Sequence, residues 1–217
     1  MKNLLYKEMK LAASPLSFWF IAAAFLTFVP GYPILLGAFF TTLGIFYSFQ
    51  MMGGNNDIGY SLLLPVAKAD IVKGKFAFTV LIEMISFLFM LIITLIRMTA
   101  LKTAEVYTAN ALMCANLTFL GFALAAFGLF NFIFLRGFFK TAYYFGKPFV
   151  VYCVAVLLLI ALAETLHHLP GLSALNAFGF APIAPQIICL VAGAVLFVFL
   201  TLISLRSSIC RFENTDL

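Results

Sequence analysis

A lipid bilayer fixes the length of anything that crosses it, and this chain repeats that length six times. Apolar runs recur from Leu11 to Leu205. A helix rising 1.5 Å per residue needs about 20 residues to cross a hydrocarbon core about 30 Å thick. Six crossings use about 120 of the 217 residues, which leaves short loops and tails. Composition points the same way: 65% of residues are apolar and 10% charged, against roughly 25% charged in a soluble domain. That is too little polar material to coat a water-facing surface, so a soluble enzyme or DNA-binding domain is excluded. The expected fold is all-α, a polytopic integral membrane protein forming one transmembrane domain over residues 1–217. No segment is long and polar enough to fold as an aqueous domain, so any energy-supplying domain must belong to another chain.

Helix breakers set the boundaries. The first stretch, Leu16 to Val29, stops at Pro30-Gly31-Tyr32-Pro33, and the second runs from Ile34 to Met52, so helices 1 and 2 form a hairpin over 16–52. The first leg is short for a crossing unless it starts near Leu11, with Pro15 tolerated in the opening turns. A loop over 53–75 leads to the third stretch, Phe76 to Ile96, which is apolar apart from Glu83. The polar interval Arg97 to Asn110 precedes the fourth, Ala111 to Phe134, so helices 3 and 4 occupy 76–134. A basic loop follows over 135–147. The fifth stretch, Pro148 to Leu166, ends at His167-His168, and the sixth runs from Gln186 to Leu205, giving helices 5 and 6 over 148–205 and a polar tail over 206–217.

Positive charge orients the chain, because Lys and Arg accumulate on the cytoplasmic side. With both termini and the 53–75 and 135–147 loops on one side, that side holds 11 of the 13 Lys and Arg, and only Arg97 and Lys102 lie opposite. Both termini are therefore expected in the cytoplasm, with the protein in the plasma membrane. The net charge of +5 then reflects orientation and anionic lipid rather than nucleic acid, since no basic stretch is interleaved with exposed aromatics. The amino-terminal segment mixes in Glu8 and lacks a compact apolar core with a cleavage site, so it reads as retained.

Catalytic patterns are missing. Lys73-Gly74-Lys75-Phe76 contains a Gly-Lys pair but neither the upstream glycine nor the following Ser or Thr of a phosphate loop. There is no HExxH motif and no nucleophile elbow. Cys114, Cys153, Cys189 and Cys210 are widely spaced and form no metal or disulfide pattern. No cofactor is expected. Glu164, His167 and His168 are the one group with ligand chemistry, and adjacent histidines point apart on a helix. Glu83 is an ionisable group within an apolar run, which is expensive there; it sits near the interface bonded to a neighbouring helix, or lies in a substrate path or subunit interface. Gly121, Ala125 and Gly128 in the fourth stretch, and Gly37 and Gly44 in the second, let helices approach closely.

The 53–75 loop is the most informative segment. Asn56 is placed to cap a short helix with Asp57 in its first turn, Ile58 and Leu62 share a face at i, i+4, and Pro65 can open a second short helix. Two short amphipathic helices that need caps and an apolar face suggest docking, either on the lipid interface or on a partner.

The residues Leu5-Tyr6-Lys7-Glu8 ahead of the first run, the Pro30–Pro33 turn, and above all Asp57 with Leu64-Pro65-Val66, Lys68, Asp70-Ile71-Val72 and Gly74-Lys75 resemble the permease subunits of ABC-2 type transporters. The likeness is to the compact six-span group that includes the phenol-soluble-modulin exporter permeases. The resemblance covers nearly the whole chain. Gly53, Gly54 and Asn55 stand where aromatic and acidic residues are common, which marks a divergent member. The resemblance implies a six-helix membrane domain that pairs with a second permease chain, as homodimer or heterodimer. It also implies an amphipathic elbow over 1–15 containing Tyr6, Lys7 and Glu8, and a coupling helix gripped by a separate ATP-binding cassette subunit. The coupling residues it implies are Asp57, Ile58, Tyr60, Leu62, Leu64, Pro65, Lys68, Asp70 and Lys75. Export of amphipathic peptides, lipids or hydrophobic compounds is the expected activity, with ATP hydrolysis on the partner. Two competing readings remain. One is an ion-gradient-driven secondary transporter or channel, for which Glu83 is the sole charged candidate; the other is a membrane enzyme using Glu164, His167 and His168.

Overall fold

The computed structural model describes residues 2–108, 112–141, 144–166, 168–178 and 183–214, and every regular element among them is helical. The chain opens with α1 (Lys2–Lys7), which runs on through a π turn over Glu8–Ala12. Ser14 ends this segment in an extended conformation, and its hydroxyl accepts the Leu16 N–H at 3.2 Å. Pro15 takes the first helical position, where a missing N–H costs nothing. The helix axis turns 88° between Leu4–Lys10 and Pro15–Phe28. After α2 (Pro15–Ile21) the winding tightens to a 3-10 helix over Ala22–Phe28. At about 1.5 and 2.0 Å per residue the two parts reach about 25 Å, so the tight winding recovers much of the length that the first apolar run lacks.

The remaining elements are α3 (Leu36–Gly54), α4 (Asp57–Leu62), α5 (Lys68–Thr99), α6 (Glu105–Thr108), α7 (Leu117–Phe130), a π turn over Asn131–Leu135, α8 (Arg136–Phe138), α9 (Gly146–Leu166) and α10 (Ile183–Glu213). Three expected boundaries move by several residues. The third helix begins at Lys68 rather than Phe76, so no second short helix starts at Pro65; the fourth begins at Leu117 rather than Ala111; and the last helix continues through most of the expected polar tail. Among the described residues four segments are long and apolar enough to cross a membrane: Lys68–Thr99, Leu117–Phe138, Gly146–Leu166 and Ile183–Glu213. The bent pair Leu4–Lys10 and Pro15–Phe28 adds a fifth only if its two parts count as one span.

The second expected crossing, α3, falls outside that set because it is partly polar and lies inside the protein. Ten of its 19 residues are buried. Its hydroxyls bond across to other helices, Thr41 to Ser86 at 2.7 Å, Thr42 to Tyr152 at 2.8 Å and Ser48 to Ser17 at 2.6 Å. A helix enclosed by helices does not need a greasy exterior. The chain is thus a polytopic helical membrane protein.

Small residues and aromatics pack the bundle. A Cβ on Gly121 of α7 would fall 2.5 Å from the Cys189 carbonyl oxygen of α10, so the small-residue stripe serves packing within the chain. Phe46 stacks on Phe149 at 3.8 Å, Phe49 meets Phe138 edge-on at 4.9 Å, and Phe130 meets Tyr152 at 5.0 Å. Many phenylalanines are therefore core, while α9 and α10 turn Val154, Leu158, Ile188 and Val195 outward.

The basic segments gather at one end. Phe76, beside Lys75, stacks on Phe139, which meets Phe212 of α10 edge-on, and Arg211 donates to the Arg136 carbonyl at 3.2 Å. At the opposite end Arg97 is buried; it donates to the Thr27 carbonyl at 2.6 Å and lies over the Tyr107 ring. Tyr107 donates to the Phe28 carbonyl at 2.9 Å. Together they satisfy carbonyls left open at the end of the 3-10 helix, where a cation is also favoured.

Candidate functional site

The short helix α4 hangs from α3 by a reversal at Asn56, whose backbone is left-handed at φ 51°. Asn tolerates that conformation better than most residues. Its side chain makes no cap, contrary to the expectation from sequence, and Asp57 instead faces inward.

There Asp57 completes a ring of four charges. Lys7 Nζ lies 2.7 Å from Asp57 Oδ1 and 3.3 Å from Glu8 Oε1. Lys75 Nζ lies 2.7 Å from Asp57 Oδ2 and 3.1 Å from Glu8 Oε2. Each ammonium touches both carboxylates, so the ring alternates in sign and carries no net charge. The third proton of Lys7 goes to Ser61 Oγ at 2.6 Å, and that of Lys75 to Met52 Sδ at 3.1 Å. Every donor of both ammoniums is used. That satisfaction is what permits Lys75 to be fully buried and Glu8 1% exposed. Burial pushes the Asp57 pKa up. The Lys75 charge and the hydrogen bonds from Lys7 and Lys75 outweigh it, holding the carboxyl below the usual carboxylate value.

The ring sorts the sequence candidates. Asp57, Lys75, Lys7 and Glu8 come together, joining the amino-terminal segment, α4 and the first turns of α5. Ile58 is buried and Leu62 packs against the core, so the apolar face of α4 turns into its own protein. That orientation corrects the expectation that this face docks outward. Outward lie Tyr60 at 66% exposure, Leu63 at 82% and Leu64, with Pro65 exposed beside them. Between this rim and the ring is a cavity of about 510 Å³ bordered by Lys7, Met52, Asn55, Tyr60 and Leu64. These exposed apolar residues stand on an ionic base, the kind of patch that marks a protein or membrane contact. Lys68 opens α5, Asp70 pairs with Lys73 at 3.0 Å on the same helix, and Tyr6 is exposed with Lys10 over its ring.

Glu83 lies outside this cluster, fully enclosed. Asn131, in the π turn after α7, donates to Glu83 Oε2 and is 3.0 Å from Thr201 Oγ1 of α10. Glu83 Oε1 and Asn131 Oδ1 have no protein partner. At the far end Glu164 accepts the Met113 N–H at 2.8 Å, which ties the segment before α7 to the last turn of α9, while His167 lies outside the described residues. No group of three His, Cys, Asp or Glu among the described residues is placed to hold a metal. Sequence reasoning singled out neither Asn131 nor the pairing of Glu8 with Lys75. The one hint was a lone acid among the lysines of the amino-terminal segment.

No curated protein and no solved structure matches the chain significantly. A family model described as ABC-2 family transporter protein matches residues 3–213. That match takes in the amino-terminal segment, the loop bearing the ionic ring and every candidate crossing. The chain belongs to the ABC-2 transporter family, whose members are the membrane components of transporters.

Proposed function

We propose that this chain is the permease half of an ATP-driven exporter, and that α4 with Leu63-Leu64-Pro65 is the element gripped by a separate ATP-binding subunit. One observation carries the reading. The four-charge ring fastens α4 to both the amino-terminal segment and α5, so a displacement of α4 moves a membrane-crossing helix and does not dissipate in a loop. ATP binding must favour one arrangement of the helices over another for that displacement to do work.

On this reading residues 2–12 are an elbow lying along the membrane surface, supported by the 88° turn before Pro15. α2 with its 3-10 extension and α3 are the first two of six crossings. The end carrying the ring, the 135–141 segment and the carboxyl-terminal part of α10 faces the cytoplasm, as charge counting requires. A second permease chain completes the path. The substrate class that suits a Phe-rich interior with few charges is an amphipathic peptide, a lipid or a hydrophobic compound.

The test uses the permease expressed with its ATP-binding subunit. Tyr60→Asp/Leu63→Asp places charge on the outward rim without touching the ring. It is expected to abolish copurification of the ATP-binding subunit and substrate-stimulated ATP hydrolysis while membrane abundance stays normal. Retained association and turnover, with residues 60–64 replaced by glycine and serine, would sink the proposal.

A further inference from the structure

We infer that a cavity between α8 and α9 holds the headgroup of an anionic phospholipid drawn from the leaflet on the ring's side of the membrane. The cavity measures about 570 Å³, within the range of small-ligand sites. Lys140 and Lys147, both exposed, stand at its mouth, and Thr141, Ile133 and Val151 line it. Its floor is closed by an unusually close approach: a Cβ on Gly137 would fall 2.6 Å from Pro148 Cβ.

Three observations fix the occupant. The first is charge. No acidic residue lines the cavity, and neither Lys140 nor Lys147 pairs with a carboxylate among the described residues. Two unpaired ammoniums on one cavity call for a net-negative group, and a zwitterionic headgroup would bring its own cation into their field. The second is depth. The mouth lies where the basic 135–141 segment meets the first turn of α9, at the level of lipid headgroups in a helix that then runs predominantly apolar as far as Ala163. The third is continuity. From Val151 the outward face of α9 continues through Val154, Leu158 and Leu162, spaced i, i+3, i+7 and i+11, each more than half exposed. A headgroup in the cavity leads its acyl chain onto that stripe, which a soluble anion could not use.

The full-length permease in detergent is titrated with dioleoyl phosphatidylglycerol, dioleoyl phosphatidylcholine and glycerol 1-phosphate, following thermal unfolding and the lipid retained in native mass spectra. Phosphatidylglycerol is expected to raise the unfolding midpoint of the unaltered protein and of Lys73→Gln. The Lys140→Gln/Lys147→Gln variant should lose at least half of that rise and its retained lipid. Phosphatidylcholine and glycerol 1-phosphate should have little effect. Equal responses to the two lipids, an unchanged response in the double variant, or glycerol 1-phosphate matching phosphatidylglycerol would each overturn the inference. Should the double variant fold poorly, a Trp19→Phe/Tyr144→Trp protein places the sole indole at the cavity mouth. Brominated phosphatidylglycerol should quench it at least twice as strongly as brominated phosphatidylcholine, and equal quenching would refute the site.

Discussion

Replacing Lys75 by methionine isolates what the ionic ring contributes. Methionine keeps most of the stem volume and removes the charge, leaving Glu8 and Asp57 with one ammonium between them. Removing one partner of a buried ion pair costs about 3–5 kcal/mol, mostly because the orphaned charge stays in a poorly polarisable place. Lys7 still touches both carboxylates, at 3.3 and 2.7 Å, so the lower end, about 3 kcal/mol, applies. In a chain of this size 1 kcal/mol moves the midpoint by about 2–4 °C, so Lys75→Met should melt about 6–12 °C lower. The Lys75→Met/Asp57→Asn pair restores neutrality, with one Lys7–Glu8 contact remaining. It should lose less than the two single losses summed, by a coupling of about 1–3 kcal/mol. The assay is unfolding of all four proteins in one detergent or nanodisc. A loss below about 1 kcal/mol in Lys75→Met, or strict additivity in the pair, would refute the ring as a structural unit.

Acid should dissolve the same ring. Because the folded pKa of Asp57 is depressed, its stabilisation is complete above the unfolded value near 3.9 and is lost as pH falls through the lower folded value. The stability gap between the unaltered protein and Asp57→Asn should therefore be flat at neutral pH and close below about pH 4; a gap unchanged in acid would contradict the assignment. Gly121→Ala drives a methyl group against the Cys189 carbonyl and should cost about 1–3 kcal/mol, whereas Gly54→Ala, with nothing within 4 Å, should leave the midpoint unchanged. Tyr107→Phe removes the donor to the Phe28 carbonyl and should cost about 0.5–1.5 kcal/mol, read by the same unfolding measurement. Glu83→Gln keeps a group that can bond Asn131 and should leave abundance normal; lost transport at normal abundance would give Glu83 a role in transport beyond folding.

Most of the apolar runs read well from sequence because hydrophobic length is a local property. The helix boundaries at Lys68 and Glu213 did not, for a physical reason. Hydropathy falls where Lys73, Lys75 and Arg211 enter, yet a helix continues through charges that find partners, as Lys75 does in the ring and Lys73 does on Asp70. Asp57 was legible as an acid at the start of a short helix. Its partner Lys75 was visible as a basic loop residue and as one of the coupling residues the resemblance implies, but its tie to Glu8 spans 67 positions, a separation that leaves no periodic trace. α3 shows the converse: its two threonines and one serine lower its hydropathy, yet they bond within the bundle, which no reading of one segment reveals.

The three buried ionisable groups of α5 give the ring its reach. Lys75, Glu83 and Arg97 are 1% exposed or less, and at 100° per residue they fall within an arc of about 80° on the helix. Thr79 and Ser86 lie on the same arc and are buried too. Lys75 binds the amino-terminal segment and α4, Glu83 binds the π turn after α7, and Arg97 binds the end of the 3-10 helix. From Lys75 to Arg97 is about 33 Å of helix, about the thickness of the hydrocarbon core. A rod bonded at the end bearing the ring, near its middle and at its opposite end cannot slide at one contact while the others stay seated. On the proposed reading, a shift imposed on α4 reaches the far side of the membrane through that one face of α5, and weakening any of its three polar contacts should uncouple the ends before it unfolds the protein.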